Sequence, residues 1–194
     1  MTTRDLFSRV LRALDQAGIP RMLTGSFASS FHGAPRATQD IDLVISPTPD
    51  QVRAFVLQLP RTEYYVDENA ALEAVRSEGQ FNVIDLATGW KIDLIVRKSR
   101  AFSLEEFERR AAGEIEGVRI DITSVEDLIV AKLEWARMGG SERQVEDAAM
   151  LLRRRKAAID VGYIERWVRV LGVDEQWKAA RARAKALAPR QGTP

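Results

Sequence analysis

The sequence predicts an α/β fold that is followed by an all-helical C-terminal part. Up to about residue 122, short segments in which apolar and polar residues alternate, as in strands, are interspersed with helical patterns. From Ser124 onward, apolar residues recur with the spacing of a helix. We therefore expect a domain over residues 1–122 that contains a small mixed sheet flanked by helices. A helical bundle over residues 123–187 and a flexible tail over residues 188–194 would complete the chain.

The composition excludes several classes of site. The 194-residue chain contains no cysteine, which excludes disulfides, thiolate zinc sites, iron–sulfur clusters and a cysteine nucleophile. Its one histidine, His32, follows Phe31 near a predicted helix end and is a poor candidate for a catalytic base. No apolar run approaches the roughly 20 residues of a membrane span. We expect a cytoplasmic protein that makes no membrane contact.

Charge is distributed unevenly along the chain. Residues 150–194 contain eleven lysines and arginines against four acidic residues, a net charge of +7. Because the whole chain is +1, residues 1–149 carry −6. An acidic body with a basic end favours a polyanionic partner or a substrate held between the two parts. The alternative is a solvated helix face followed by a loose basic tail.

The first half of the chain alternates helices and strands. Helical spacing of apolar residues predicts a helix over residues 3–17, and a strand over residues 21–24 follows. A second helix over residues 27–31 precedes a strand at Asp40–Ile45, in which acidic and apolar residues alternate. Thr48, with Pro49 and Gln51 after it, has the pattern of a helix N-cap.

Later elements are predicted from similar signals. Two apolar runs joined by Ala-Thr-Gly-Trp predict a hairpin, a helix begins at Ser103, and a short hairpin leads into Val118–Ile122. Ser124 and Ser141 resemble N-caps of two helices separated by Gly139-Gly140, and two more helices follow. Trp135, Trp167 and Trp177 lie at core-like positions. The predicted hairpin strands and the last two helices are residues 81–86, 91–96, 160–171 and 174–187.

Three carboxylates are candidates for a metal site. Residues two apart in a strand point to the same side, so Asp40 and Asp42 share one face of their strand. Asp93 occupies the corresponding position of the strand Lys91–Val96. If the two strands are neighbours, the three carboxylates converge, and a set of oxygen ligands suits Mg²⁺. The alternative is an exposed acidic sheet face.

Gly25 and Ser26 lie between a predicted strand and a predicted helix. Glycine allows close approach of a ligand to the backbone, and the serine hydroxyl can donate a hydrogen bond to a phosphate oxygen. When such a turn is followed by the Asp-x-Asp strand and a third strand aspartate, the combination indicates a site for phosphate and metal more specifically than any one of these features does. The alternative for the pair is an ordinary turn before a helix.

These motifs together resemble a known superfamily. Leu-Thr-Gly-Ser, followed after thirteen residues by Asp-Ile-Asp-Leu, is similar to the hG[GS]…[DE]h[DE]h signature of the DNA polymerase beta-like nucleotidyltransferases, and Asp93 matches their third carboxylate. The stretch Arg36–Asp42 resembles the R-x-T-x-D-I-D segment of the abortive-infection (AbiEii-type) nucleotidyltransferase toxins. Lys132, Arg143 and Asp147 look like later motifs of that group. The gap before Asp40 is at the long end of the family's range.

The resemblance implies an enzyme. It would transfer a nucleoside monophosphate from an NTP to a hydroxyl, with Asp40, Asp42 and Asp93 binding two Mg²⁺ ions and acting as the catalytic residues. Gly25 and Ser26 would bind the NTP. RNA, in particular tRNA, would be the acceptor, and the protein would be the toxin of a toxin–antitoxin pair with a cognate antitoxin. The basic C-terminal part independently disfavours a polycationic acceptor and suits phosphates.

Five further residues have two interpretations each. Arg36 and Thr38 either contact the triphosphate or brace the loop before the catalytic strand. Lys132 either contacts a phosphate or forms a buried ion pair with a carboxylate such as Asp147. Arg143 and Asp147 are four residues apart and either belong to the site or pair along one helix.

Three other functions remain open. The chain could modify an aminoglycoside or lincosamide antibiotic, since enzymes of that kind use similar glycine and aspartate signatures. It could adenylylate a partner protein, as an antitoxin-like enzyme. It could also be a catalytically silent binding module, although three mutually repelling carboxylates have no evident use there.

Overall fold

The computed structural model describes residues 3–115, 117–154 and 159–186, and the strands among them form one mixed sheet. The order across this sheet is β3-β4-β5-β2-β1-β7-β6. Strand β2 lies between β1, to which it is antiparallel, and β5, to which it is parallel. The strand bounds are β1 Arg21–Thr24, β2 Asp40–Ile45, β3 Tyr64–Tyr65, β4 Gln80–Asp85, β5 Lys91–Val96, β6 Ala111–Ile115 and β7 Val118–Ile122.

Helices connect most of the strands, and the secondary-structure elements described after β7 are all helices. None of the described helices is long and apolar enough to cross a membrane. The helix bounds are α1 Thr3–Gln16, α2 Gly25–Phe31, α3 Pro49–Leu57, α4 Glu68–Ser77, α5 Ala101–Glu108, α6 Val125–Gly139, α7 Glu142–Arg154, α8 Val161–Leu171 and α9 Asp174–Ala186. The predicted fold class, a mixed α/β sheet with flanking helices followed by helices alone, is confirmed.

Two elements were not predicted from the sequence. Strand β3 is two residues long and pairs with β4 at the sheet edge. Helix α4 follows it, with the Asp67 carboxylate accepting a hydrogen bond from the amide of Ala70 as an N-cap. This helix ends at Glu78, whose backbone is left-handed (φ 51°), immediately before Gly79. The sequence carried both cap signals, and the alanines, leucine and glutamates between them favour a helix, so this element could have been predicted.

The chain packs as two compact units. One consists of the chain up to Phe27 together with Ala37–Thr123, and it contains the sheet. The other consists of Ala28–Arg36 together with the chain from Ser124 onward. The boundaries proposed from sequence, at residues 122 and 187, remain predictions, and the proposed tail over residues 188–194 lies outside the described residues.

The first unit has a sheet whose two faces differ in character. On one face of β2, Ile41, Leu43 and Ile45 are buried. Helices α1 and α4 contact strands of the sheet, and α3 packs against both of these helices. On the opposite face, Val44 packs with Met22 and Phe107 at one end of the strand. The other end of that face is polar, because Asp40 and Asp42 project from it.

The second unit is held together partly by a buried polar group. Asp127 in α6 is fully buried and accepts hydrogen bonds from the hydroxyls of Ser124, at 2.6 Å, and Tyr163 in α8. Trp167 and Trp177 are buried, as predicted. The prediction was wrong for Trp135, whose side chain is 43% exposed. It lies on α6 one turn after the buried Lys132 and one turn before Met138, which is 58% exposed, so it is at the edge of the buried stripe of this helix.

Replacing Tyr163 with phenylalanine is expected to destabilise the protein. The change removes one hydrogen bond to a buried carboxylate, and hydrogen bonds to charged groups contribute about 1.5–3 kcal/mol. Urea denaturation should show that the free energy of unfolding of Tyr163→Phe is lower than that of the wild type by this amount. Tyr65→Phe, at a tyrosine that is 54% exposed, is the control and should change the free energy of unfolding little. Equal stability of both variants would contradict the role of the Tyr163 hydroxyl.

Candidate active site

The pairing of β2 with β5 brings the three predicted carboxylates onto one face of the sheet. In this parallel pair Asp42 lies opposite Asp93, and Asp40 lies opposite Lys91. Positions opposite each other project to the same side, so all four side chains share one face. The adjacency of the two strands, which the sequence argument required as a condition, is therefore present.

Lys91 places a positive charge among these carboxylates. Its Nζ donates a hydrogen bond to Asp93 Oδ2 at 2.8 Å and lies 3.6 Å from Asp40 Oδ1. The hydrogen bond to Asp93 and the negative charges of Asp93, Asp40 and Asp42 raise the pKa of Lys91 above its usual value, although partial burial opposes the shift. The ammonium therefore remains charged at neutral pH and offsets part of the repulsion among the aspartates.

Sequence reasoning missed Lys91. The signal was available, because Lys91 and Asp93 are two apart in one strand and must share a face. Its approach to Asp40 depends on how β5 is aligned with β2. That alignment cannot be read from either strand alone.

Gly25 leaves room for the Asp42 carboxylate. Thr24 at the end of β1 pairs with Asp42, so the next residue lies directly beside that side chain. Gly25 has a left-handed backbone (φ 64°), and a Cβ at this position would lie 1.9 Å from Asp42 Oδ2 and 2.7 Å from Asp42 Cβ. Any side chain here would displace the carboxylate. Ser26, the next residue, is buried, with 3% of its surface exposed.

Thr38 braces the loop that enters β2. Its hydroxyl accepts a hydrogen bond from the Asp40 amide at 3.1 Å and lies 3.3 Å from the Asp40 carbonyl oxygen. Thr38 therefore braces this loop, and its contact with the triphosphate stays a prediction. The contact also holds the backbone of Asp40 in place.

Lys132 forms a second charged cluster, within the helical unit. Its side chain is 5% exposed, and its Nζ lies 2.9 Å from Asp147 Oδ2. Arg36 Nε lies 3.6 Å from the same oxygen, so Asp147 has two cationic neighbours. Among the described side chains Asp147 pairs with these residues rather than with Arg143, which is exposed. Of the two ion pairs suggested from the sequence, the described side chains form the one between Lys132 and Asp147 and not the one between Arg143 and Asp147.

Two other ionisable residues near these motifs make contacts of their own. Asp85 is 1% exposed, and its Oδ1 accepts hydrogen bonds from the Thr88 amide and hydroxyl in the turn between β4 and β5. It lies on the sheet face opposite to that of Asp93, because Asp93 pairs with Asn82. His32 packs edge-on against the ring of Phe31.

The residues on the acidic face fit a divalent cation by their chemistry. Three carboxylates supply the hard oxygen donors that Mg²⁺ prefers, and Gly25 keeps space open beside Asp42. An ammonium already lies between Asp93 and Asp40, so a cation is accommodated there. As the side chains are placed, the described part of the chain has no group of three Asp, Glu or His residues drawn together tightly enough to hold a metal ion.

No family model matches the chain. No curated protein matches it either.

Solved structures with the same fold are found. The crystal structure of ANT(2″)-Ia in complex with adenylyl-2″-tobramycin is 15% identical, covers 96% of this chain and 100% of its own, and superposes with a TM-score of 0.51. The lincomycin-bound lincosamide antibiotic adenylyltransferase LnuA is 11% identical, with coverage of 78% and 97% and a TM-score of 0.51.

A third solved structure shares the fold over a similar length. An antigenic nucleotidyltransferase-like protein from Paracoccidioides brasiliensis is 16% identical over 94% of both chains, with a TM-score of 0.51. Together with the sheet topology, these likenesses show that the chain has the nucleotidyltransferase fold.

Replacing Gly25 with alanine is expected to cost more stability than replacing Gly89. Both glycines have left-handed backbones, φ 64° and 72°, so both substitutions pay a conformational penalty of about 1–2 kcal/mol. A Cβ at Gly89 meets nothing within 4 Å, whereas one at Gly25 collides with Asp42. Urea denaturation should therefore show a clearly larger loss for Gly25→Ala. If Gly25→Ala and Gly89→Ala lost the same free energy of unfolding, glycine would be needed at position 25 only for its left-handed backbone and not to leave room for Asp42.

Proposed function

We propose that the protein is a Mg²⁺-dependent nucleotidyltransferase that transfers a nucleoside monophosphate from an NTP to a hydroxyl group. The observation that carries this proposal is the parallel register of β2 and β5, which places Asp42 opposite Asp93 with Asp40 on the same face. The nucleotidyltransferase fold supports it, and so does the glycine packed against Asp42.

The three aspartates are the metal-binding residues of this proposal. Asp40, Asp42 and Asp93 would hold two Mg²⁺ ions, which when bound supply positive charge for the α-phosphate and the leaving pyrophosphate. Asp93, whose side chain is 14% exposed, accepts the proton of the acceptor hydroxyl. The hydroxyl oxygen then forms a bond to the α-phosphorus, and the bond from that phosphorus to the bridging oxygen breaks, releasing pyrophosphate.

Other residues bind the NTP in the same proposal. The Ser26 hydroxyl donates a hydrogen bond to a phosphate oxygen, and Gly25 allows the backbone to approach it closely. Arg36, Thr38 and Lys132 are the remaining candidates for binding the NTP, and Arg143 and Asp147 are second-rank candidates for the site. The ion pairs that tie Lys132 and Arg36 to Asp147 support a positioned cationic group in the helical unit.

RNA is the acceptor we propose, and charge supports it. The segment from residue 150 carries +7, which suits a polyanion and disfavours a polycationic aminoglycoside. Residues 155–158 and 187–194 of that segment lie outside the described residues. Among the described cations, Lys178 and Arg181 pair with Glu175 and Glu165, which reduces the charge available to a partner. The toxin role, with a cognate antitoxin, rests on the motif resemblance alone.

A second candidate acceptor is an antibiotic. Two of the solved structures that share the fold are of antibiotic-modifying proteins, one with adenylyl-tobramycin and one with lincomycin. At 15% and 11% identity these likenesses concern the fold. The experiment that tests the reaction therefore offers antibiotics as well as RNA, so that the acceptor is identified by where the label appears.

Labelled nucleotide should be transferred to RNA. We would incubate the protein with Mg²⁺ and each α-labelled NTP in turn, offering total cell RNA, a cell protein fraction, kanamycin or lincomycin as acceptor. Asp42→Asn and Asp93→Asn should each lower transfer about a thousandfold, because several kcal/mol of charge stabilisation is lost. Both variants should remain folded, since removing one of several like charges relieves repulsion.

Asp50→Asn is the matched control. Asp50 is an exposed aspartate of α3 paired with Arg53, so its loss should leave transfer unchanged. If the label appeared on an antibiotic or a protein instead of RNA, the proposed acceptor would be wrong, but the proposed transfer reaction would be confirmed. Wild-type transfer by Asp93→Asn would contradict the assignment of the third carboxylate.

Ser26→Ala is expected to weaken NTP binding about 5- to 30-fold. The magnitude is that of one hydrogen bond to a charged group, about 1–2 kcal/mol. Ser29→Ala is the control, because Ser29 is equally buried in the same short helix, at 2% exposure. Equilibrium binding of an NTP with Mg²⁺ to both variants makes the comparison. If Ser26→Ala and Ser29→Ala bound the NTP with equal affinity, Gly25-Ser26 would be an ordinary turn with no part in NTP binding.

A further inference from the structure

We propose that Lys91 is an internal counter-ion of the three carboxylates and that a divalent cation must displace its ammonium in order to bind. This inference rests on the proposed function, because it concerns the same acidic face. It assigns to Lys91 a role that the nucleotidyltransferase motifs do not include. Lys91 acts on the charge of the aspartates and does not contact the reacting atoms.

The contacts of Lys91 place its charge where a metal ion would be needed. Nζ lies 2.8 Å from Asp93 Oδ2 and 3.6 Å from Asp40 Oδ1, so it bridges the two strands that carry the carboxylates. The register Asp40↔Lys91 and Asp42↔Asp93 makes this bridge a consequence of the backbone. A divalent cation that coordinates Asp93 and Asp40 would compete with the ammonium for the same oxygens.

Charge explains why such a residue is useful. Three carboxylates on one sheet face carry −3, and their mutual repulsion opposes pairing of β2 with β5 unless a cation is near. Lys91 reduces the net charge to −2 without any bound ion. Its side chain is 37% exposed, so the ammonium can turn outward into solvent when a stronger cation arrives.

Two measurable consequences follow. Without Lys91 the aspartates should bind a divalent cation more tightly, because the internal competitor is gone. Without both Lys91 and a divalent cation, the protein should be less stable, because the repulsion is unopposed. If Lys91 instead held the aspartates in a metal-binding geometry, its removal would weaken metal binding.

The test measures binding of Mn²⁺ alone, with the full chain and no nucleotide, by the loss of the free Mn²⁺ electron paramagnetic resonance signal. Lys91→Met keeps the length of the side chain and removes its charge. We expect it to bind Mn²⁺ about tenfold more tightly than the wild type. Its melting temperature without divalent ions should fall by about 2–4 °C and recover when Mn²⁺ is added.

Two controls separate this inference from the proposed function. Lys178→Met removes another lysine that pairs with a carboxylate, at 2.7 Å from Glu175, and should leave Mn²⁺ affinity unchanged. Asp42→Asn should lose Mn²⁺ binding. If it binds Mn²⁺ like the wild type, the ion is not held by these aspartates, and the proposed function fails together with this inference.

If Asp42→Asn loses binding but Lys91→Met binds Mn²⁺ equally or more weakly than the wild type, this inference alone is overturned. Lys91→Gln is the second variant should Lys91→Met fold poorly, since glutamine can still donate a hydrogen bond to Asp93. It should show the same tightening of Mn²⁺ binding, because it too lacks the charge. Unchanged or weaker binding by Lys91→Gln would overturn the inference equally.

Discussion

Repulsion among three carboxylates on one face of a sheet is the constraint on which the site depends. The parallel pairing of β2 with β5 aligns Asp42 with Asp93 and leaves Asp40 on the same side. Like charges held at adjacent strand positions are destabilising unless a cation compensates them. Lys91, at the fourth position of the group, supplies one positive charge. The strand register brings the carboxylates together, and the positive charge of Lys91 offsets part of the repulsion that results.

The same alternation of residues serves both stability and chemistry. Odd-numbered positions of β2, such as Leu43, are buried and belong to the core, which fixes the register of the strand. Even-numbered positions carry the aspartates at one end and Val44, packed with Met22 and Phe107, at the other. A shift of one residue would bury the carboxylates and expose the core. The apolar face thus enforces the position of the acidic one.

Local patterns in the sequence were sufficient for most of the fold. Alternation predicted β2 and β5, and the Thr48 capping box predicted the start of α3. The positions of the aspartates on one face followed from strand periodicity. Contacts that depend on how separate elements are aligned could not be predicted in this way. Examples are the bridge from Lys91 to Asp40, the approach of Gly25 to Asp42, and the pairing of Arg36 with Asp147. Helix α4 is a different case, because its N-cap and its helix-favouring residues are local signals that were present in the sequence and were missed.

The most direct test of the account is to locate a divalent cation in a crystal of the protein. Crystals grown with Mn²⁺ and a non-hydrolysable NTP analogue would be measured at a wavelength where manganese scatters anomalously. An anomalous difference peak is expected in contact with carboxylate oxygens of Asp42 and Asp93. Lys91 Nζ would have moved away from Asp93 in the same crystal. A manganese peak bound elsewhere, with Lys91 still bonded to Asp93, would contradict it.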